Sequence, residues 1–163
     1  MINTDIFKKA MSQFPSGVTI ITVKKGNDFK GMTASAFISV SLNPPLILES
    51  VSKTAKIHQL LINEGHFAVS ILNENQVEVS NYFAGYGKDG FEPEMQASEG
   101  YHFVKNSLAR LSCKVVQTID AGDHTLFIGE VLNAEVEDFS KEQQQPNPLL
   151  YFNKAYRSLK SKD

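Results

Sequence analysis

The sequence predicts a mainly β protein, an antiparallel barrel carrying a few small helices. Three observations point there. Apolar, β-branched runs recur at short spacing, the joins between them read as hairpin turns, and the helical stripes are all short.

Ile6, Phe7, Ala10 and Met11 share one face of a helix over Asp5–Gln13, which Asn3 or Thr4 can cap and Pro15 ends. Val18–Val23 is rich in β-branched residues, and the turn "KKGND" leads into a second strand over Phe29–Leu42. Within that strand the even positions from Met32 to Leu42 are apolar, and Met32, Ala34, Ala36, Ile38 and Val40 are expected to pack inward. Thr33, Ser35, Ser39 and Ser41 then line the other face with short hydroxyls. "NPP" at 43–45 breaks the chain before the strand "LILESV", 46–51. In "SKTAKIHQLLINEG" the period changes. Ile57, Leu60 and Leu61 form a helical stripe, Ser52 or Thr54 can cap it, and Gly65 fits its end. "HFAVSIL" (66–72) is a strand and "NENQVEVSNYFAG" a second amphipathic helix. Residues 84–106 are Gly-rich and read as irregular. Leu111–Ile119 and Thr125–Glu137 are strands joined across "DAGD", and "PLLYFNKAYRSL" closes the chain with a short strand. With no internal repeat or linker, residues 1–163 read as one domain.

A net charge of −2 offers no basic face for nucleic acid or an anionic membrane. The start of the chain lacks an apolar stretch of signal-peptide length, no later run reaches membrane-spanning length, and one cysteine, Cys113, excludes an internal disulfide. The cytoplasm is the expected location.

Little acid–base or nucleophilic machinery is visible. His58, His66, His102 and His124 are not spaced as metal ligands, no G-x-S-x-G elbow occurs, and Glu92 and Glu94 lie in the irregular loop. Gly85-Tyr86-Gly87-Lys88-Asp89-Gly90 matches G-x-G-x-x-G, but a helix precedes it and no helical stripe follows, so it reads as a loop. Ser52-Lys53-Thr54, at a predicted helix start, suits either a phosphate or a simple cap. His124, at the mouth of a hairpin, is either a ligand contact or a structural cap of "DAGD". Groups for holding a phosphorylated ligand, without reactive side chains, point to a cofactor that carries its own chemistry.

In order along the chain, "FPSGVTIITV", "GMTASAFISVSLNPPL", "SKTAKIH", "GHFAVSILNENQ", "DAGDHTLFIGEV" and "PLLY" with "AYR" resemble the flavin reductase-like, FMN-binding split-barrel family. The resemblance covers roughly residues 7–159. It implies a six-stranded antiparallel Greek-key split β-barrel, a homodimer, and FMN or FAD bound near the dimer interface. It also implies NAD(P)H as co-substrate and an oxygenase component as partner. By that resemblance Met32, Thr33, Ala34, Ser35 and Ala36 contact the isoalloxazine edge. Ser50, Val51, Ser52, Lys53 and Thr54 hold the ribityl chain and phosphate, and Phe83 lies beside the flavin. His124, Tyr151 and Tyr156 line the nicotinamide side. One departure stands out: many relatives carry His-Arg-Gly where this chain has Phe152-Asn153-Lys154.

The reaction so implied is reduction of FMN or FAD by NAD(P)H, with hydride passing from nicotinamide C4 to flavin N5 and no catalytic side chain. Stacking the two rings supplies the rate. The rivals are a flavin-binding storage or electron-transfer protein without a nicotinamide site, and another FMN-dependent enzyme on the same barrel.

Overall fold

The computed structural model describes residues 2–140 and 145–159. Helix α1 spans Thr4–Met11, and Asn3 caps it as expected, its Oδ1 accepting from the amides of Asp5 at 2.8 Å and Ile6 at 3.3 Å. Among the described residues the apolar face of α1 stays open, with Ile6 62 % exposed and Phe7 52 %.

Strands follow as β1 (Ser16–Gly17), β2 (Thr19–Lys25), β3 (Asp28–Ala34), β4 (Phe37–Leu42) and β5 (Pro45–Ser52). After α2 (His58–Glu64) come β6 (His66–Ile71), α3 (Val77–Phe83), β7 (Met95–Ser98) and β8 (Tyr101–Val104). The chain closes with β9 (Ala109–Ala121), β10 (His124–Val136), β11 (Leu150–Phe152) and β12 (Ala155–Arg157). The main sheet has seven antiparallel strands in the order β3-β2-β6-β9-β10-β5-β4, while β1, β11 and β12 form a small sheet and β7–β8 a hairpin. Among the described residues no helix is long and apolar enough to cross a membrane.

The unbroken burial from Val18 to Val23 has a physical cause. Ile21 and Val23 join a core with Val51, Phe67, Val69, Cys113 and Phe127, whereas Val18 and Ile20 join a second core with Leu72, Val79, Val104 and Leu149. A strand covered on both faces loses its alternation. Gly129 lets β10 pass close to the first core: a Cβ there would stand 2.7 Å from Cζ of Phe67, a side chain only 1 % exposed.

Four expectations need correction. The predicted strand Phe29–Leu42 divides at Ser35–Ala36 into β3 and β4, which lie at opposite edges of the seven-stranded main sheet. Two residues reach only about 10 Å between flanking Cα atoms, so the sheet must curl until its edges approach. The break also shifts the alternation. Phe37 turns toward the core, and Ile38 (57 % exposed) and Val40 (48 %) face outward. Helix α2 starts at His58, not at Ser52 or Thr54, because residues 53–57 form turns. Finally, the stretch read as irregular contains the β7–β8 hairpin, whose turn residues Glu99 and Gly100 both have positive φ. A two-residue turn of that hand matches strand twist. The glycine-rich Gly85–Gly90 segment follows helix α3, and the next element after it is strand β7.

Candidate functional site

The crossing at Ser35–Ala36 is where the two sheet edges meet. The Ser50 amide of β5 donates to the Ala36 carbonyl at 3.2 Å, and Lys56, just beyond β5, lines the same hollow as Gly31 of β3. The hollow that Gly31 and Lys56 both line therefore forms a groove between β3 on one bank and the turn after β5 on the other. At the crossing itself the side chains are small and exposed, and among the described residues the Ser35 and Ala36 amides donate to no backbone carbonyl. They are ready donors for a ligand.

On the β3 bank a cleft of about 310 Å³ gathers Thr33, Ala34 and Ser35 with Tyr151 and Tyr156. Several of the hydroxyls there are already engaged. Thr33 Oγ1 donates to the Ser80 carbonyl at 2.6 Å, and the Tyr156 hydroxyl donates to Asn81 Oδ1 at 3.0 Å and shares a 2.9 Å bond with Ser80 Oγ. These bonds clamp α3 to β3 and β12. Tyr151 lies edge-on to Tyr156, ring centroids 5.5 Å apart, and stays 40 % exposed.

On the β5 bank, Ile47, Glu49 and Val51 point into the core while Ser50 and Ser52 face out. Ser52 Oγ bonds Thr54 Oγ1 at 2.9 Å and accepts from the Thr54 amide at 3.3 Å. It caps a turn, not a helix, so no helix dipole assists an anion there. Lys53 Nζ lies 3.3 Å from Asp120, an exposed pair of small net worth. His124 stands opposite Ser52 in the β5–β10 ladder. Its Nδ1 is 2.8 Å from Asp123 Oδ1, and the His124 hydrogen bond holds the Asp123 carboxyl below the usual range, with the His124 and Lys53 charges adding to the effect. Neither member of the pair is buried, the His124 side chain being 41 % exposed and that of Asp123 94 %. The hairpin turn is made by Gly122, with φ of +64°.

Of the expected site residues, Thr33, Ala34, Ser35, Tyr151 and Tyr156 come together in the cleft. Ser50, Ser52, Lys53, Thr54 and His124 cluster on the opposite bank. Ala36 joins the banks. His124 does not line the cleft with the two tyrosines. Val51 is fully buried, so only its backbone can reach a ligand, and Met32 packs against the same core. Phe83 points away from the cleft into the neighbouring hollow beside Gly31. Sequence reasoning missed Ser80, Asn81 and Lys154. The only available signal was Asn153-Lys154, a pair that adopts positive φ at both residues and turns Lys154 over the cleft.

Residues 11–160 match the family described as flavin reductase like domain. The chain belongs to that family. The reductase component of 4-hydroxyphenylacetate 3-monooxygenase from Thermus thermophilus is 40 % identical over 155 residues, covering 95 % of this chain and 96 % of that protein. The flavin reductase PheA2 in its native state superposes with a TM-score of 0.90 at 38 % identity, over 98 % of this chain and 100 % of that one. The NADH:FAD oxidoreductase of Streptomyces globisporus C-1027, solved with NAD and FAD fragments, gives 0.86 at 33 % identity over 97 % and 93 %.

The groove of this flavin reductase-like domain fits a flavin on its own chemistry. The free amides at the Ser35–Ala36 crossing suit the polar edge of an isoalloxazine, and small side chains leave the plane of the ring unobstructed. Ser52, Thr54 and Lys53 offer hydroxyls and a cation for a sugar alcohol chain and phosphate.

Proposed function

We propose that this flavin reductase-like domain is an NAD(P)H:flavin oxidoreductase that reduces FMN or FAD and supplies reduced flavin to a partner monooxygenase. The observation that carries the proposal is the Ser35–Ala36 crossing, whose two amides donate to no backbone carbonyl among the described residues, beside the end of β5 that carries Ser52, Lys53 and Thr54. When bound, the flavin supplies the hydride acceptor. The chain's own residues bind and orient. Ser35 and Ala36 fix the polar edge of the ring, Ser50, Ser52, Thr54 and Lys53 hold the chain and phosphate, and the backbone of Val51 and the packing of Met32 and Phe83 keep the banks in place. Tyr151, Tyr156 and His124 are assigned to the nicotinamide. Tyr156 contributes its ring edge, since its hydroxyl is engaged with Ser80 and Asn81. No side chain need gain or lose a proton in that step. Alignment of the two rings at reacting distance can lower the barrier by about 7–11 kcal/mol.

The test is NADH consumption with and without added FMN or FAD, beside a visible spectrum of the purified protein. Turnover that rises with added flavin supports the reductase. Bound flavin without NADH oxidation would assign the chain instead to flavin storage or electron transfer.

In the same assay His124→Ala is expected to lower kcat/KM for NAD(P)H by about tenfold, the loss of one bond of roughly 1.4 kcal/mol. Flavin affinity and melting temperature should hold, because His124 and Asp123 are exposed and Gly122 makes the turn. A lowered melting temperature with flavin and nicotinamide affected alike would make His124 a structural cap.

The proposal extends to the whole chain, 1–163, as one flavin reductase-like domain acting in the cytoplasm. We read the curled sheet as the six-stranded Greek-key split barrel, with β3 and β4 as the two halves of one divided strand. We also read the chain as a homodimer. Phe14 (70 % exposed), Met11 (53 %), Ile38 and Leu42 (95 %) leave apolar surface at and just after the end of α1 and on the edge strand β4 that a second copy would cover. Light scattering should give a mass near twice 18.1 kDa. A mass of one chain with flavin present would remove the dimer.

A further inference from the structure

The two walls of the cleft belong to different sheets. Thr33 and Ala34 stand at the end of β3 in the main sheet, whereas Tyr151 and Tyr156 come from β11 and β12 in the small one. Strand β12 is three residues long, lies at an edge and pairs only with β11. A ladder that short holds a strand weakly. The Tyr156 ring packs in part against the second core, but apolar contact has no direction and does not fix the ring in one pose.

The directional restraint comes from α3. Ser80, 0 % exposed, bonds both walls at once: its carbonyl accepts from Thr33 Oγ1 at 2.6 Å, and its hydroxyl lies 2.9 Å from that of Tyr156. The Tyr156 hydroxyl donates to Asn81 Oδ1 at 3.0 Å. A phenol carries one proton, so the bond to Ser80 must run the other way, with Ser80 donating to the Tyr156 oxygen. Ser80 and Asn81 thus hold that oxygen as acceptor and as donor. The helix that carries them is itself pinned. Val79 lies in the second core, and Phe83 packs so closely on β3 that a Cβ at Gly31 would stand 2.6 Å from its Cε1.

We propose that Ser80 and Asn81 are positioning residues of the reductase, which fix the Tyr156 ring relative to Thr33 and so set the separation of the walls between which nicotinamide and flavin meet. This inference rests on the assignment of Tyr156 to the nicotinamide. Ring alignment is the chain's whole contribution to the hydride step, so a tyrosine free to shift costs rate before it costs affinity.

The experiment compares the wild type with Asn81→Ala, Tyr156→Phe and the double variant. It measures NADH turnover with FMN, FMN affinity by titration, melting temperature, and ring-flip NMR of ring-labelled tyrosine in the flavin-free protein. The Tyr156 signal is the one that Tyr156→Phe removes. Each single variant should lower kcat/KM for NADH at least tenfold, within the roughly hundredfold that a misplacement of about 1 Å can cost, with kcat falling more than KM rises. FMN affinity should hold throughout, because Thr33 bonds the backbone carbonyl of Ser80, which no substitution removes. Asn81 is only half-buried, so the melting temperature of Asn81→Ala should hold as well, while its Tyr156 ring flips faster. The double variant should be no slower than Tyr156→Phe, since the hydroxyl that Asn81 grips is already gone. Additive losses would overturn the proposal by showing that Asn81 acts apart from Tyr156. Equal losses for FMN and NADH with a lower melting temperature would reduce Asn81 to a support of α3, and a fully active Asn81→Ala would overturn the proposal outright. A wild type that oxidises no NADH would remove the proposed function instead. The ring signal still tests the restraint in that case, and equal flip rates in wild type and Asn81→Ala would overturn it.

Discussion

Above the ordinary carboxylate pKa near 4.5, the Glu49→Gln protein is expected to gain stability relative to the wild type by about 1.4 kcal/mol for each pH unit. The gain should level off where the folded wild type finally releases its proton. Glu49 sits on the inward face of β5, 1 % exposed, and neither of its carboxylate oxygens has a hydrogen-bond partner among the described residues. Burial therefore pushes its pKa well above the usual range. Its neighbourhood responds in the same sense: burial, and then the Glu49 charge, push the Cys113 thiol up to about 12. The sign follows from proton counts. Above pH 4.5 the unfolded chain has lost the proton that the folded chain keeps, so rising pH favours unfolding of the wild type. Glutamine has the same shape and no charge in either state, which cancels this dependence. Denaturant melts of both proteins at several pH values measure the difference. Parallel stability curves would mean that the folded protein carries an ionised Glu49.

Replacing Lys53 with alanine is expected to weaken FMN binding by about 1–3 kcal/mol, roughly five- to 150-fold. The ammonium now faces Asp120 at 3.3 Å, but Asp120 is 83 % exposed and gains little from the pair. A phosphate carrying close to two negative charges, flanked by Ser52 and Thr54, competes effectively for the same cation. Two controls separate the phosphate from the ring. Riboflavin, which has no phosphate, should bind wild type and Lys53→Ala alike, and Asp120→Asn should tighten FMN binding by releasing the lysine. Unchanged FMN affinity in Lys53→Ala would remove the phosphate assignment. Equal losses for FMN and riboflavin would show that Lys53 supports the groove and does not grip the phosphate.

Local patterns were enough for the elements whose determinants are local. Asn3 capping α1, the β-branched run of β2 and the Gly122 turn between β9 and β10 all rest on dihedral preference and side-chain period, which neighbours in sequence carry. The family, too, was legible, because its stretches recur in order from residue 7 to 159. The β7–β8 hairpin could have been found from the alternation in "MQASEGYHFV" around Glu99-Gly100.

Tertiary structure alone decided the rest. The alternation across 31–42 is unbroken in the sequence, yet the chain changes sheet edge at Ser35–Ala36, because a curled sheet must pass its strand across the gap. That crossing exposes Ile38 and Val40, which the alternation alone would bury, and frees the Ser35 and Ala36 amides. Thr33 and Tyr156 carry hydroxyls that a ligand could use, but Ser80 and Asn81, brought in by α3, engage them first. Glu49, the acid within the apolar run "LILESV", is buried because β5 is paired on both sides and turns that face inward. In each case the deciding partner lies on a different strand or helix. Sequence spacing records which residues are adjacent along the chain, and only the packed sheet brings the distant ones into reach.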